Sequence, residues 1–150
     1  MAEADDVLDV LRFYPQIYLA CHVDHVRSTS TKWQLSARDS SILAHLDTSV
    51  PMSPRQLAKH LAVQPSTLSA AIARLEELGY IAVRAASTDK RRRELTLTAR
   101  GAEAMAETSV LDRGRVADLL GKLSPADRPA AIHGLSLLAR AARELHKEER

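Results

Sequence analysis

A run of four consecutive cations is the first feature of this sequence that could recognise another molecule. The run comprises Lys90, Arg91, Arg92 and Arg93. Leucine and threonine alternate soon after it, in Leu95–Thr98, and an alternation of period two predicts a β-strand. We therefore expect the cations near the tip of a β-hairpin, where they would attract a polyanion such as a nucleic-acid backbone. A hairpin whose charges face only water is the alternative interpretation.

The positive charge of the chain is concentrated around this run. The whole sequence has a formal net charge of only +2 at pH 7. Residues 51–100 carry nine Lys or Arg and four Asp or Glu, a net of +5, whereas residues 1–50 carry four and seven, a net of −3. A local basic face can steer a polyanion even when the molecule as a whole is nearly neutral.

The composition limits the class of protein. The chain has 150 residues, of which 45% are hydrophobic and 27% charged, as in one globular domain. Aromatic residues make up only 3%, so Ala and Leu must supply the core, which favours helices. No apolar run approaches the roughly 18 residues of a membrane span, and the acidic start of the chain does not resemble a secretory signal. The single cysteine, Cys21, excludes an internal disulfide and suits a reducing cytoplasm, so we expect a cytoplasmic protein.

A pair of short helices precedes the cationic run. Ser53 has the form of an N-cap, with Gln56 three residues later to complete a capping box. Pro65 opens a second helix, which buries an apolar stripe and ends near Gly79. The patterns predict two helices, a strand, a loop and a second strand, at residues 53–61, 65–78, 81–84, 85–93 and 95–98.

Longer helical segments flank this unit. Apolar residues near a 3.6-residue spacing predict a helix over residues 4–29, with a kink or a break at Pro15. Ser36 is expected to cap the next helix, with Asp39 at the third position. Thr98 is expected to cap a long helix, in which Gly114 is a position of low helix propensity.

The last part of the sequence predicts the end of this helix and one further helix. Gly121 is expected to end the helix that Thr98 begins. Ser124 precedes a last helix, which carries apolar residues on one side as far as Leu145.

This order of elements is typical of a winged helix-turn-helix. The fold class we expect is mainly α with a small β-hairpin, in a single domain spanning 1–150. The winged helix-turn-helix would occupy about 36–98, between dimerisation helices at about 4–29 and 99–146. Those terminal helices are rich in Ala and Leu and have little local partner surface, so an intertwined two-fold homodimer is expected.

The second helix of the pair is the one that would enter a major groove. Because its apolar stripe faces inward, Ser66, Thr67 and Ser69 are expected on the outward side, with Arg74 further along. Small hydroxyls at a helix N-terminus suit phosphate contacts and close approach to base edges. Simple helix capping by Ser66 and Thr67 is an equally good interpretation.

Two motifs in the middle of the chain can be compared with known families. The first is Asp89-x-Arg91 followed by Leu95-x-Leu97-Thr98-x-x-Gly101, and the second is Pro65–Ser69 with Leu75–Ile81. Together they resemble the MarR (multiple-antibiotic-resistance regulator) family of bacterial transcription regulators, over roughly residues 35–101. The resemblance implies a homodimer whose two winged lobes bind a pseudo-palindromic operator in double-stranded DNA.

The resemblance also implies roles for the residues of the hairpin. Arg91 would enter a minor groove, and Asp89 would hold it in position. The other cations would contact phosphates: Lys90, Arg92 and Arg93. A narrow, A/T-rich minor groove favours an inserted Arg without strict base reading. Many family members have a basic residue where this chain has Ala70, so fewer base contacts are expected from the recognition helix.

Regulators of this kind respond to a signal, and two classes of signal compete. The first is a small aromatic or phenolic ligand, which would release a repressor from DNA. Five polar-aromatic residues could line its site: Tyr14, Tyr18, His22, Trp33 and His45. The second is oxidation of Cys21, which has Tyr18 and His25 one helical turn away. Ordinary packing explains each of these residues equally well or better.

Other functions have weaker support. No Gly-rich phosphate loop, nucleophile elbow or metal-protease motif is present, so catalysis is not expected. His22 and His25 have metal-competent spacing, but no further ligands support them, and we expect no metal or cofactor. A winged-helix module that binds protein without binding DNA is the remaining alternative.

Overall fold

The structure, a computed structural model, describes residues 4–22 and 32–148. They are mostly helical, with one two-stranded antiparallel hairpin. In chain order the elements are α1 (Ala4–Cys21), α2 (Ala37–Ala44), α3 (Pro54–His60), α4 (Pro65–Glu77), β1 (Ile81–Ala85), β2 (Arg93–Leu97), α5 (Ala99–Glu107), α6 (Arg113–Gly121) and α7 (Asp127–Glu148). The mainly α fold with a small hairpin is confirmed. Across the described ranges, every helix is too short or too polar to cross a bilayer.

The predicted starts of the helices are confirmed in detail. Ser36 and Ser53 each accept a hydrogen bond from the backbone N–H three residues later, at 3.1 Å in both cases. In return, Asp39 and Gln56 accept from the backbone N–H of the capping serine, which completes two capping boxes. Gly79 follows the end of α4 with φ +80°, a conformation that glycine adopts without steric cost.

The hairpin is held on both sides of β2. On one side Leu95 pairs with Val83 and Leu97 pairs with Ile81 in β1. On the other side Leu95 exchanges two backbone hydrogen bonds with Met52, at 2.8 and 3.0 Å. Both leucines of β2 are buried, so the hairpin is fixed to the helices that precede it. The strands begin and end one or two residues from the predicted limits, because Arg93 and Glu94 still pair with Ala85 and Arg84.

One hydrophobic core fills the space between α2, α3, α4, the hairpin and α5. It includes Leu35, Ile42, Leu43, Leu46, Leu57, Ala58, Leu68, Ile72, Leu75, Tyr80, Ile81, Leu95, Leu97 and Ala104. We call residues 35–98 the winged lobe. Within the described residues, α1, α6 and α7 add no member to this core.

Of the two outcomes expected at Pro15, a kink or a break, the break does not occur, because α1 is one helix from Ala4 to Cys21. Beyond residue 22, the predicted extension to residue 29 lies outside the described residues.

The long helix expected after Thr98 is divided into α5 and α6, and the division is not at Gly114. Thr108 is buried and donates its hydroxyl to the Ala104 carbonyl at 2.8 Å, at the end of α5. Asp112 then caps α6 by accepting from Arg115 N–H at 2.8 Å. Between them the backbone turns to reach the end of α1, where Asp112 N–H donates to the Cys21 carbonyl. The tertiary contact with α1 thus overrides the helical pattern.

We expect Gly101→Ala to destabilise the fold by more than about 2 kcal/mol, because overpacking against backbone cannot be relieved by a rotamer change. A Cβ at this buried position would overlap the Tyr80 carbonyl oxygen and lie 2.9 Å from Leu97 Cδ1. Urea unfolding followed by circular dichroism measures the change. Gly121→Ala is the matched control, since no atom lies within 4 Å of its Cβ position, and it should be neutral or slightly stabilising. Equal stability of both variants would contradict the packing described here.

Candidate nucleic-acid interface

The exposed side of α4 carries the small hydroxyls predicted for a recognition helix. Leu68, Ile72 and Leu75 are buried in the core. Ser66, Thr67 and Ser69 are therefore exposed near the start of the helix, together with Ala70. The N-cap of α4 is Gln64, and its side chain makes no capping hydrogen bond. Ser66 and Thr67 lie inside the helix, so the alternative interpretation of these residues as N-caps is wrong.

Asp89 organises the tip of the hairpin. We call β1, β2 and residues 86–92 between them the wing. Asp89 Oδ1 accepts a hydrogen bond from the backbone N–H of Arg91 at 3.0 Å, and the Asp89 carbonyl accepts from Arg92 N–H at 3.0 Å. Ala86 N–H donates to the Arg92 carbonyl at 2.8 Å, which closes the base of the turn. The tip is thus a hydrogen-bonded turn rather than an open loop.

The four consecutive cations of the wing, Lys90 to Arg93, are all exposed to solvent. The Arg92 guanidinium lies 3.9 Å from Asp89 Oδ2, at the outer limit of an ion pair. The Asp89 carboxylate therefore contacts the backbone of Arg91 and the side chain of Arg92. The family resemblance implied that Asp89 would hold Arg91 in position. The contact found is to the backbone N–H of Arg91, not to its side chain.

A groove of about 830 Å³ separates the wing from α3 and the start of α4. We call it the basic groove, because its charged lining residues are Arg55, Lys59, Arg92, Arg93 and a single acid, Glu94. Arg55 and Lys59 were not identified from the sequence as site residues. Their spacing was the available signal, since residues four apart on a helix share a face. The groove extends the positive surface from the wing to α3.

Arg74 lies on α4 like the hydroxyls but makes contacts within the protein. Its Nη1 donates to the Gln34 carbonyl at 2.9 Å, and its Nη2 donates to Asp39 Oδ2. Asp39 is buried, at 4% exposure, and belongs to the capping box of α2. The guanidinium is thus occupied by two acceptors from the segment before α4.

The five candidate ligand residues are distributed over several places in the chain. Tyr18 and His22 stack on α1, with ring centroids 4.5 Å apart. Trp33 lies against Tyr80 of the core, with centroids 6.2 Å apart and the rings edge to face. His45 and His60 line a cavity of about 280 Å³ beside α7. The fifth residue, Tyr14, is exposed on α1.

Cys21 is buried at the end of α1, at 1% exposure. It lines a shallow depression with Arg115 and Asp118 of α6 and with Lys122, which directly follows α6. Its carbonyl accepts the hydrogen bond from Asp112 that joins α1 to α6. The predicted neighbour His25 lies outside the described residues. A buried thiol beside a structural hydrogen bond supports the packing interpretation of Cys21.

Comparison with known proteins supports the resemblance drawn from the motifs. Residues 33–92 match the sequence profile of the MarR family. No curated protein sequence matches the chain significantly. Among solved structures, a MepR variant from S. aureus has a TM-score of 0.62 and 18% identity, covering 94% of this chain and 99% of that one.

Two further structures have the same fold. The Bordetella bronchiseptica protein BpsR, whose DNA binding is regulated by 6-hydroxynicotinic acid, has a TM-score of 0.51 and 23% identity over 91% of this chain and 93% of its own. The transcriptional regulator BldR from Sulfolobus solfataricus has a TM-score of 0.51 and 24% identity, with coverage of 93% and 99%. The resemblance to the MarR family and the winged-helix fold are thus confirmed.

We expect Asp89→Ala to loosen the wing tip without unfolding the winged lobe. A hydrogen bond of this kind contributes about 0.5–1.5 kcal/mol, so the Arg91 amide should exchange with solvent about 2- to 13-fold faster. Solvent-exchange NMR of the backbone amides measures this rate. Thr88→Ala is the control in the same turn and should leave the Arg91 amide unchanged. The same rate in wild type and Asp89→Ala would show that the carboxylate does not organise the tip.

Proposed function

We propose that the chain is a sequence-specific, double-stranded DNA-binding transcription regulator that acts as a homodimer. The observation that carries this proposal is the basic groove between the wing and α3. Arg55 and Lys59 of α3 line it together with Arg92 and Arg93 of the wing and with Pro65, the first residue of α4. The exposed hydroxyls of α4 directly follow Pro65, and exposed Lys90 and Arg91 directly precede Arg92. No acid besides Glu94 interrupts the described lining of the groove.

The start of α4 suits a major groove. Its exposed residues Ser66, Thr67, Ser69 and Ala70 are all small, so the helix can approach base edges closely. Because the guanidinium of Arg74 is bonded within the protein, we assign readout to the hydroxyls and not to Arg74.

The wing suits the backbone and the adjacent minor groove. A rigid turn holds Arg91 in the open, and a narrow minor groove offers the negative potential that an inserted Arg requires. We propose that Lys90, Arg92, Arg93, Arg55 and Lys59 neutralise phosphates on either side. Binding should then depend strongly on salt, because each neutralised phosphate contributes about −0.9 to the log–log slope.

The terminal helices support a homodimer. The apolar side chains of α1 are at least 40% exposed in the single chain at Val7, Leu8, Val10, Leu11, Phe13, Tyr14, Ile17 and Leu19. Helix α7 exposes a second set, comprising Ile132, Leu135, Leu137, Leu138 and Leu145. Apolar faces of this extent mark an interface rather than a solvated surface. A two-fold dimer would place the two recognition helices about 34–36 Å apart, one DNA turn, on a pseudo-palindromic operator.

A dimer bound across a promoter would act as a repressor by occlusion. Release by a small aromatic or phenolic ligand stays a prediction from the sequence. Of the five candidate residues, His45 is the one that lines the cavity beside α7 described above. Regulated DNA binding in BpsR supports this mode of control for the fold.

We expect Arg91→Ala to lower the affinity for an operator about 5- to 150-fold, the usual effect of removing one groove-contacting Arg. The operator is obtained by selecting duplexes from a random library with the wild-type protein. Fluorescence anisotropy at several salt concentrations should show a slope shallower by about 0.9. Arg113→Ala is the matched control, because Arg113 is also exposed but lies on α6, outside the winged lobe. Equal affinity of Arg91→Ala and wild type would refute the role of the wing.

We expect Leu11→Glu to convert the dimer into monomers, because burying a carboxylate in an apolar interface is costly. Light scattering after size-exclusion chromatography measures the mass. Val50→Glu is the matched control: Val50 is 66% exposed and Leu11 is 67% exposed, but Val50 lies in the loop before α3. A Leu11→Glu protein that keeps the mass of a dimer would show that α1 is not the interface.

A further inference from the structure

The contacts of Asp39 form a polar centre inside the winged lobe. Asp39 Oδ2 accepts hydrogen bonds from the Ser36 backbone N–H at 2.7 Å and from the Ser36 hydroxyl at 2.8 Å. The same oxygen accepts from Arg74 Nη2. Burial disfavours the charged carboxylate, but the hydrogen bonds from Ser36 and Arg74 together outweigh it and lower the pKa of Asp39 below its ordinary value. The carboxylate is therefore ionised at neutral pH.

Arg74 connects this centre to α4. Its two terminal nitrogens bond different acceptors, the Asp39 carboxylate in α2 and the Gln34 carbonyl before α2. We call Arg74, Asp39 and the Gln34 carbonyl the clamp. Gln34 has φ +58°, an unfavourable conformation for a non-glycine residue, which the surrounding contacts must maintain.

A second contact fixes the same segment from just beyond the C-terminal end of α4, the end that also carries Arg74. The hydroxyl of Tyr80, which follows α4, donates to the Trp33 carbonyl at 2.8 Å. Two adjacent carbonyls, those of Trp33 and Gln34, are thus bonded by side chains that belong to α4 or directly follow it. In the sequence these two carbonyls lie between α1 and α2, where the chain enters the winged lobe.

We propose that Arg74 and Asp39 are positioning residues for DNA binding, which set the orientation of the recognition helix α4 and do not touch DNA. This inference rests on the proposed function. A helix anchored only by its apolar stripe can rotate or slide by small amounts, whereas a two-acceptor guanidinium contact fixes direction as well as distance. Because the clamp includes Gln34, it also fixes α4 relative to the segment directly before α2.

Arg74→Lys separates positioning from direct contact. Lysine keeps the positive charge, so a phosphate contact would survive, but it lacks the planar fork that bonds two acceptors at once. We expect about tenfold weaker operator binding with an unchanged salt slope, measured by anisotropy on the selected duplex. Arg91→Ala in the same series supplies the contrast, a slope shallower by about 0.9. Wild-type affinity for Arg74→Lys, or a shallower slope for Arg74→Ala, would overturn the inference.

Asp39→Asn provides a second, independent variant. Asparagine keeps the shape of the side chain and removes its charge, and Asp39 is too deeply buried to contact DNA. We expect about tenfold weaker binding, and no further loss when Arg74→Lys is added, because the two residues act through one contact. If the fold losses in affinity of the two single variants multiply in the double variant, the two residues act independently, which would contradict the clamp. Circular dichroism shows which variants are folded. If Asp39→Asn does not fold, Arg74→Lys alone provides the test.

The outcomes distinguish this inference from the proposed function. If the wild-type protein selects no duplex, the proposed function fails and the inference fails with it. If the wild type binds, Arg91→Ala weakens binding, and Arg74→Lys and Asp39→Asn do not, only the inference fails.

Discussion

The register of β2 is the constraint on which the proposed DNA-binding surface depends. Leu95 and Leu97 are buried, and Thr96 between them lies on the opposite face of the strand. A slip of one residue would bury Glu94 and Thr96 in their place, so the register is fixed by the cost of desolvating a carboxylate. Met52 pairs with the free edge of β2 and ties the strand to the segment before α3. Arg92 and Arg93 of the wing therefore keep a constant distance from Arg55 and Lys59 across the basic groove.

The winged lobe and the terminal helices differ in how they are stabilised. The winged lobe and α5 enclose one buried core, whereas the only fully buried residue of α1 is Cys21. Much of the apolar surface of α1 and α7 has no partner within the described chain. A second copy of the chain would bury this surface, so the proposed homodimer and the proposed DNA interface use different parts of the molecule. A change at one surface can reach the other only through the few contacts that join them.

Local signals in the sequence were sufficient for most of the winged lobe. Capping boxes at Ser36 and Ser53 and the positive φ at Gly79 depend on neighbouring residues only, and all were predicted correctly. The division of α5 from α6 could not be predicted, because it depends on a hydrogen bond from Asp112 to Cys21, 91 positions away along the chain. Pro15 did not break α1, since the breaking effect of proline is a tendency that context can override. The hydrogen bonds of Arg74 to Gln34 and Asp39 could not be predicted, because periodicity gives the face of a residue but not its partners.

Asp39 and Asp89 have similar roles in very different surroundings. Each carboxylate accepts a backbone N–H and lies beside an arginine, and each fixes an element that we assign to DNA. Asp89 is exposed, so salt screens its interaction with Arg92. Asp39 is buried, so its contact with the half-exposed guanidinium of Arg74 is screened less. The lowered pKa of Asp39 means that its contribution to stability is present above the ordinary carboxyl pKa and is lost only as the pH falls below about 4. Near neutral pH, raising the salt concentration should thus weaken contacts with phosphate while the orientation of α4 is preserved. The salt slope can therefore be interpreted as a count of phosphate contacts and not as partial unfolding of the winged lobe.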